Sequence, residues 1–221
     1  MYDYKDYWDN GKRDGYYENI YSRVLEYFHK RDNIDKEIVD FGGGSGEFLS
    51  YFKIRKALVL DVSTSGLVKA EKRGYSIKKI NFEEKIDVAS NLADIGFCCE
   101  VLEHLRYPNL LLFEASRIIK TGGSFFVSVP NMKPDGVQHV RRYYYNELVQ
   151  DLDKFGFTIK KRWFMQAFRS KNTLNFKSPF LFFKSILLFF LSMIPSEIMA
   201  KMSNICPNRF ASFYILEAIR R

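Results

Sequence analysis

Ile38–Phe48 reads IVDFGGGSGEF: an apolar run that closes on Asp40, glycine at alternate positions Gly42, Gly44 and Gly46, and an apolar stretch that resumes at Phe48. Alternate glycines make a turn that can take positive φ and that presents no Cβ, so a ligand can lie directly against the backbone. The stretch predicts a strand, a nucleotide-cofactor turn, and a helix whose first N–H groups are free where the turn ends.

Working outward, strand and helix signals alternate, which implies a parallel sheet. Strands are predicted at Glu37 to Phe41, in KALVLDV ending at Asp61, at Tyr75 to Ile80, in IGFCCEV, and in SFFVSVP ending at Pro130. Helices are predicted at Gly46 to Ile54, Ser65 to Lys72 and Asn109 to Lys120. Beyond Pro130 come a loop to Arg142, a helix over Tyr144 to Phe155, a strand FTIKKRWF, an apolar insertion, and a closing strand SFYILEAIR. Ligands in such sheets bind outside the carboxyl ends of the strands.

At 221 residues the chain is long enough for one sizeable α/β core, so a single domain over 1–221 is expected. It divides into an N-terminal aromatic arm and helix (1–35), a cofactor-binding core (36–164), the insertion (172–208) and the closing strand (209–221). Cys98, Cys99 and Cys206 are too few and too irregular for a disulfide framework or a thiolate zinc site. With no signal-peptide pattern at the N-terminus, a cytoplasmic setting is expected. The net charge of +8 is uneven: residues 1–100 carry 18 acids and 16 bases, residues 101–221 carry 8 and 18. Such a half suits an anionic partner or is a solvated basic surface.

Asp61 stands at the end of the second strand, about 20 residues beyond the turn, where an acid can accept both ribose hydroxyls of a nucleotide. Helix capping ahead of Ser63 to Ser65 is the plainer alternative. Asp40 closes the first strand and is expected to face the amides of the turn. The dinucleotide fingerprint G-x-G-x-x-G does not fit, because the sixth place from Gly42 is Glu47, a carboxylate that repels phosphate. The D-x-G-x-G-x-G pattern instead resembles motif I of the class I S-adenosylmethionine-dependent methyltransferases, whose cofactor is a sulfonium without phosphate. The resemblance covers Ile38 to Arg162 and the last strand. It implies a seven-stranded Rossmann-like sheet, mostly parallel with the last strand antiparallel, helices on both faces, and an apolar helical insertion before the last strand. It also implies that Asn81 and Phe82 lie near the adenine, although many relatives carry aspartate at the place of Asn81, and that Cys99 packs on the methionyl part. The N-terminal arm would lie over the cofactor pocket.

CCEVLEHL is the second informative stretch. A helix beginning near Glu100 would place Glu100, Glu103 and His104 on one face, and His139 follows 35 residues after His104 in QHVRRYYYNEL. The pair of stretches resembles the ubiquinone-pathway O-methyltransferases, with E-x-x-E-H and a downstream His before basic and aromatic residues. It also resembles the 2′-O-methyltransferases of small-RNA 3′ ends, in which the same run binds a divalent metal. That likeness makes Glu100, Glu103, His104 and His139 candidate ligands for Mn, Fe, Co or Zn, or for Mg with water. His104 or His139 as a metal-free general base, positioning, and a structural role stand beside it, with Glu103 completing the catalytic set.

Between the last two strands, the apolar run Ile186 to Ile194 is too short to span a bilayer. A substrate lid, a membrane-surface helix flanked by Lys177, Lys184 and Lys201, and a dimer contact are the competing readings. The first two favour a hydrophobic or lipid-linked small-molecule acceptor and peripheral membrane contact. The expectation is therefore an S-adenosylmethionine-dependent O-methyltransferase. Its rivals are a metal-dependent RNA 2′-O-methyltransferase, for which no RNA-binding motif speaks, and a cofactor-binding scaffold without catalysis.

Overall fold

The computed structural model describes residues 16–30, 35–131, 139–165 and 213–221. The aromatic arm ahead of residue 16 and the insertion expected at 172–208 lie outside the described residues. The elements run α1 (Tyr16–His29), β1 (Ile38–Phe41), α2 (Glu47–Tyr51), β2 (Leu58–Asp61), α3 (Thr64–Lys72), β3 (Ser76–Lys79), β4 (Ala93–Cys99), a single 3-10 turn (Leu102–His104), α4 (Pro108–Ile118), β5 (Ile119–Pro130), α5 (Tyr145–Lys154), β6 (Phe157–Met165) and β7 (Phe213–Arg220).

Seven strands form one sheet in the order β3-β2-β1-β4-β5-β7-β6. The pairs from β3 through β5 are parallel, and β7 runs antiparallel to both β5 and β6. The last strand thus slots between the fifth and the sixth, a placement that periodicity does not encode. The sheet reverses its winding between β1 and β4, and the carboxyl ends of those two strands flank the crevice in which such sheets bind ligands.

Both faces of the sheet are covered. On one, Ile20, Tyr21, Val24 and Phe28 of α1, Phe48 and Leu49 of α2, and Leu67 and Ala70 of α3 pack on Ile95, Phe97 and Phe126. Phe97 and Phe126 stack at 5.3 Å, with Phe28 edge-on to Phe126. On the other, Leu111, Leu112, Ala115 and Ile118 of α4 join Leu148 and Leu152 of α5 over Phe125 and Val127. The i, i+3, i+4 spacing of these positions gives each helix one apolar stripe, and that stripe is what it buries.

A buried acid fastens α1 to β7. Glu217 in β7 is fully buried, and it accepts hydrogen bonds from Tyr27 (2.8 Å) and Ser124 (3.0 Å) while Lys160 stands 3.6 Å away. A carboxylate buried so deeply is tolerable only with its oxygens satisfied in this way.

Local chemistry trims the predicted helices. The first helix is Glu47–Tyr51 rather than Gly46 to Ile54, because Gly46 is left-handed (φ 70°) and Phe52 already caps the far end. The segment described up to Met165 resumes at Phe213, which pairs with both Met165 and Pro130. The connection of 47 residues therefore starts and finishes at the carboxyl end of β5. Among the described residues, no helix is long and apolar enough to cross a membrane.

Candidate active site

The glycine turn is built for close approach. Gly42, Gly44 and Gly46 all have positive φ. Gly42 donates to the Leu60 carbonyl at 2.7 Å, and a Cβ there would stand 2.4 Å from Val101 Cγ2, so only hydrogen fits between turn and β4 loop. Gly43, which the alternate-glycine reading passes over, is equally constrained: a Cβ would meet Asp40 Oδ2 at 2.4 Å. The side chain opposite is that of Asp40, three residues earlier at the end of β1. α2, which follows the turn, is only five residues long.

Asp61 is the acid that holds the turn. It is buried; its Oδ2 accepts from the Gly44 amide at 2.8 Å and its Oδ1 from the Ser63 amide at 2.7 Å. Burial pushes its carboxyl up, and the amides of Ser63, Gly44 and Val62 pull against that rise. Each carboxylate oxygen keeps a second lone pair for a ligand hydroxyl. The capping alternative is taken by Ser63, whose Oγ accepts from Gly66 N at the start of α3.

Asp40 lies against the turn at Gly43 without bonding to it. Its Oδ2 takes no amide of the turn and has no hydrogen-bond partner among the described residues, although the residue is only 2% exposed. Burial, and then the Asp61 charge, push its carboxyl up to about 8. Without a ligand this carboxyl is neutral up to about pH 8, and a cation above the turn would favour its ionised form. The residues present therefore fit a sulfonium cofactor.

This geometry sets a pH dependence. Folded, Asp40 keeps its proton up to about pH 8, whereas the unfolded chain releases it near pH 4. Its contribution to stability is therefore full below pH 4 and declines as pH rises toward 8, by at most about 1.4 kcal/mol per pH unit. Asp61, Cys98, Cys99 and Tyr75 are the titratable groups that interact with it. Relative to Asp40→Asn, the ligand-free wild type should lose melting temperature between pH 5 and pH 8; parallel curves would refute the assignment.

Asn81 and Phe82 follow β3, with Ile80 N bonded to the Asp61 carbonyl at 2.9 Å. The Asn81 amide spans its own turn, accepting from Glu83 N (3.0 Å) and donating to Glu84 (2.7 Å), and Phe82 is packed into the core beside Ile86. Cys99 ends β4 in register with Ser128. Burial, then Asp40, raises its thiol well above the ordinary range, so it stays protonated.

After β4 the chain departs from the predicted helix. Glu100 turns with φ 59°, its N–H donating to the Ser128 carbonyl at 3.1 Å, and only the 3-10 turn Leu102–His104 follows. Glu100, Glu103 and His104 therefore do not share a face. Glu100 points toward α1, where Tyr21 donates to it at 3.1 Å, and Ser128 of β5 donates to it at 3.2 Å, so it stands outside the group that Glu103, His104 and His139 form.

Glu103, His104 and His139 do come together, with one ligand atom from each lying within 4.8 Å of the others. Backbone bonds cause this: the Glu103 carbonyl accepts from Val140 N (3.0 Å) and Arg141 N (3.2 Å), which tethers the segment after β5 beside the 3-10 turn. The imidazoles of His104 and His139 then stack at 5.0 Å. Glu103 Oε1 lies 3.7 Å from His104 Nε2, and Oε2 is buried with no hydrogen-bond partner among the described residues. Burial, then Glu100, raises the Glu103 carboxyl well above its ordinary value. Two imidazoles and an orphaned carboxylate oxygen are a donor set that fits a divalent cation.

A family model described as a methyltransferase domain matches residues 12–167, which covers the glycine turn, both histidines and six of the seven strands. The chain belongs to the S-adenosylmethionine-dependent methyltransferases. It is 29% identical over 107 residues to the ubiquinone biosynthesis O-methyltransferase of Dechloromonas aromatica, and 26% identical over 137 residues to that of Pseudomonas syringae pv. tomato. These matches cover 45% and 58% of this chain and 46% and 59% of the two relatives, so the methyltransferase spans about half the length of the proteins it matches. Among solved structures, a chain from the complex of the Haloferax volcanii Trm112 methyltransferase activator with a methyltransferase superposes with TM-score 0.67 at 15% identity, over 100% of this chain and 99% of that one. The geranyl diphosphate C-methyltransferase of Streptomyces coelicolor A3(2) superposes with TM-score 0.60 at 13% identity, over 92% of this methyltransferase and 80% of its own chain. Likeness at these identities is one of fold.

Proposed function

We propose that this methyltransferase methylates a hydroxyl oxygen of a small hydrophobic or lipid-linked acceptor, with the His104–His139 pair removing the hydroxyl proton. The observation that carries the reading is the pairing of those imidazoles beside the loop that packs on Gly42. The cofactor supplies an activated sulfonium methyl. Gly42 to Gly46 and Asp61 would hold it, with Cys99 and Asp40 lining the crevice between. The chain's own work is then to hold an oxygen in line and take its proton, for which imidazole is suited near neutral pH. The likeness to the ubiquinone-pathway enzymes favours oxygen as the acceptor atom.

Two features favour an apolar acceptor. Tyr107, Leu110 and Phe113 are exposed along one side of the helix that follows His104, and Val140 and Tyr144 are exposed beyond His139. The connection between Met165 and Phe213, whose sequence is apolar over 186–194, starts and finishes at the same end of the sheet. The test is transfer of labelled methyl to a polyprenylated phenol in micelles, a water-soluble catechol and an RNA oligonucleotide. Label is expected in the phenol; label in the RNA alone would overturn the reading.

Glu103 supports a second reading, in which it joins His104 and His139 to hold a divalent cation that binds the acceptor oxygen. On that reading EDTA abolishes transfer, added Mn²⁺ restores it, and Glu103→Gln lowers the metal content of the dialysed protein at least about tenfold. Unchanged transfer in EDTA leaves the histidines to act alone.

A further inference from the structure

We propose that Arg142 and Arg162 bind a phosphoryl group of the acceptor beside the histidine pair. The inference rests on the acceptor reading given above and narrows it: the hydroxyl compound carries a phosphate or diphosphate, and a phenol without that group is the weaker substrate.

Two arginines follow His139, and the fold uses them differently. Arg141 is taken up by structure: its amide donates to the Glu103 carbonyl at 3.2 Å, its guanidinium lies 4.3 Å over the Tyr143 ring, and it pairs with Glu147. Arg142 has no such acid. Its Nε donates to the Asn131 side chain at 2.9 Å, one residue past the end of β5, and its guanidinium lies 4.8 Å over the Tyr144 ring. A neutral amide and a ring therefore fix the plane of the group, while its two Nη nitrogens bond to none of the described residues. Arg117 and Arg141, half-buried like Arg142, each hold a carboxylate, Glu114 at 2.6 Å and Glu147. A half-buried guanidinium that is oriented but not neutralised is suited to an anion from outside the chain.

Arg162 reaches the same ground from β6. Its Nη1 donates to the Tyr145 hydroxyl at 2.9 Å, and among the described residues no carboxylate pairs with it. Tyr145 packs edge-on to Tyr214 at 5.9 Å. Burial pushes the Tyr214 phenol up and the Arg142 charge pulls it down, which puts Arg142 within electrostatic reach of that ring. Two positive charges without acids match a phosphate monoester, which carries about −1.5 to −2 near neutral pH, and two guanidinium forks match its three terminal oxygens. A lone carboxylate would be filled by one fork. From His139 to Arg142 the chain has no helix or strand, so the two α-carbons stand at most about 11 Å apart. One small acceptor can therefore place its hydroxyl at His139 and its phosphoryl group at Arg142, with the exposed Val140 and Tyr144 as apolar surface beside it.

Calorimetry on the whole protein tests this with farnesyl diphosphate, farnesol and inorganic pyrophosphate. Wild type is expected to bind farnesyl diphosphate at least about tenfold more tightly than farnesol, an advantage that shrinks as salt rises. Loss of charge-assisted hydrogen bonds predicts that Arg142→Gln weakens farnesyl diphosphate by about 10- to 100-fold and farnesol by less than about threefold. Arg162→Gln, at an exposed position, should cost the diphosphate about threefold to tenfold, and it decides the matter should Arg142→Gln not fold. Pyrophosphate that binds about tenfold more weakly than farnesyl diphosphate marks the natural group as lipid-linked, and equal affinity marks it as a soluble phosphate ester; both keep the anion at Arg142. Equal affinity for farnesol and its diphosphate, equal losses for both in the variants, or displacement of the diphosphate by S-adenosylhomocysteine would overturn the assignment. If the diphosphate binds through Arg142 but no phosphorylated hydroxyl compound takes up labelled methyl, the acceptor reading fails and the anion site stands.

Discussion

His139→Ala is expected to slow methyl transfer by about 10²- to 10⁴-fold, with His104→Ala falling in the same range, the span typical of a positioned general base. Both rings stand on the short path from β4 to α4 and from β5 to α5, 5.0 Å apart, and neither belongs to the glycine turn. Affinity for S-adenosylhomocysteine should therefore stay within about threefold of wild type while the rate collapses, the signature of a group that acts on the reacting oxygen. If the two imidazoles act as a unit, the double variant should be little worse than either single one. Under the cation reading the same variants also lose metal, and excess Mn²⁺ would recover part of the rate. Transfer within about threefold of wild type in both variants would remove the histidines from the chemistry under either reading.

Asp61→Ala should cost about a hundredfold or more in affinity for S-adenosylhomocysteine and lower the melting temperature as well. The carboxylate accepts two backbone amides at 2.8 and 2.7 Å, so its loss leaves the buried N–H groups of Gly44 and Ser63 unpaired, at about 1–3 kcal/mol each. It also removes the acceptors for the ribose hydroxyls. Ser63→Ala separates the two effects. That change drops the cap on Gly66 and the Ser65 hydroxyl contact at 3.1 Å, an expected cost of about 1 kcal/mol in stability, and leaves the carboxylate in place. Calorimetry in which Asp61→Ala binds as wild type does, or in which Ser63→Ala loses as much affinity, would show that Asp61 does not grip the cofactor.

What could be read from residue order was whatever depends on near neighbours in the chain. Alternating strand and helix signals specify the layered α/β sheet, because each element must bury its own apolar face. The turn at Gly42 to Gly46 and the acid of Asp61 sit at strand ends, so position along the chain already assigns them to the crevice. His139 beside His104 was legible only through resemblance, since the contact is made by amides of Val140 and Arg141 reaching the Glu103 carbonyl across 35 residues and more.

Folding alone settled the rest, and Glu100 shows why. Helical spacing puts it with Glu103 and His104, yet its amide is claimed by Ser128 on the neighbouring strand, and the left-handed turn that follows swings its carboxylate to Tyr21. The same holds for β7, which slips between β5 and β6. Spacing along a chain predicts which residues share a face. Which partner claims a side chain is decided by strands that meet only once the sheet has formed.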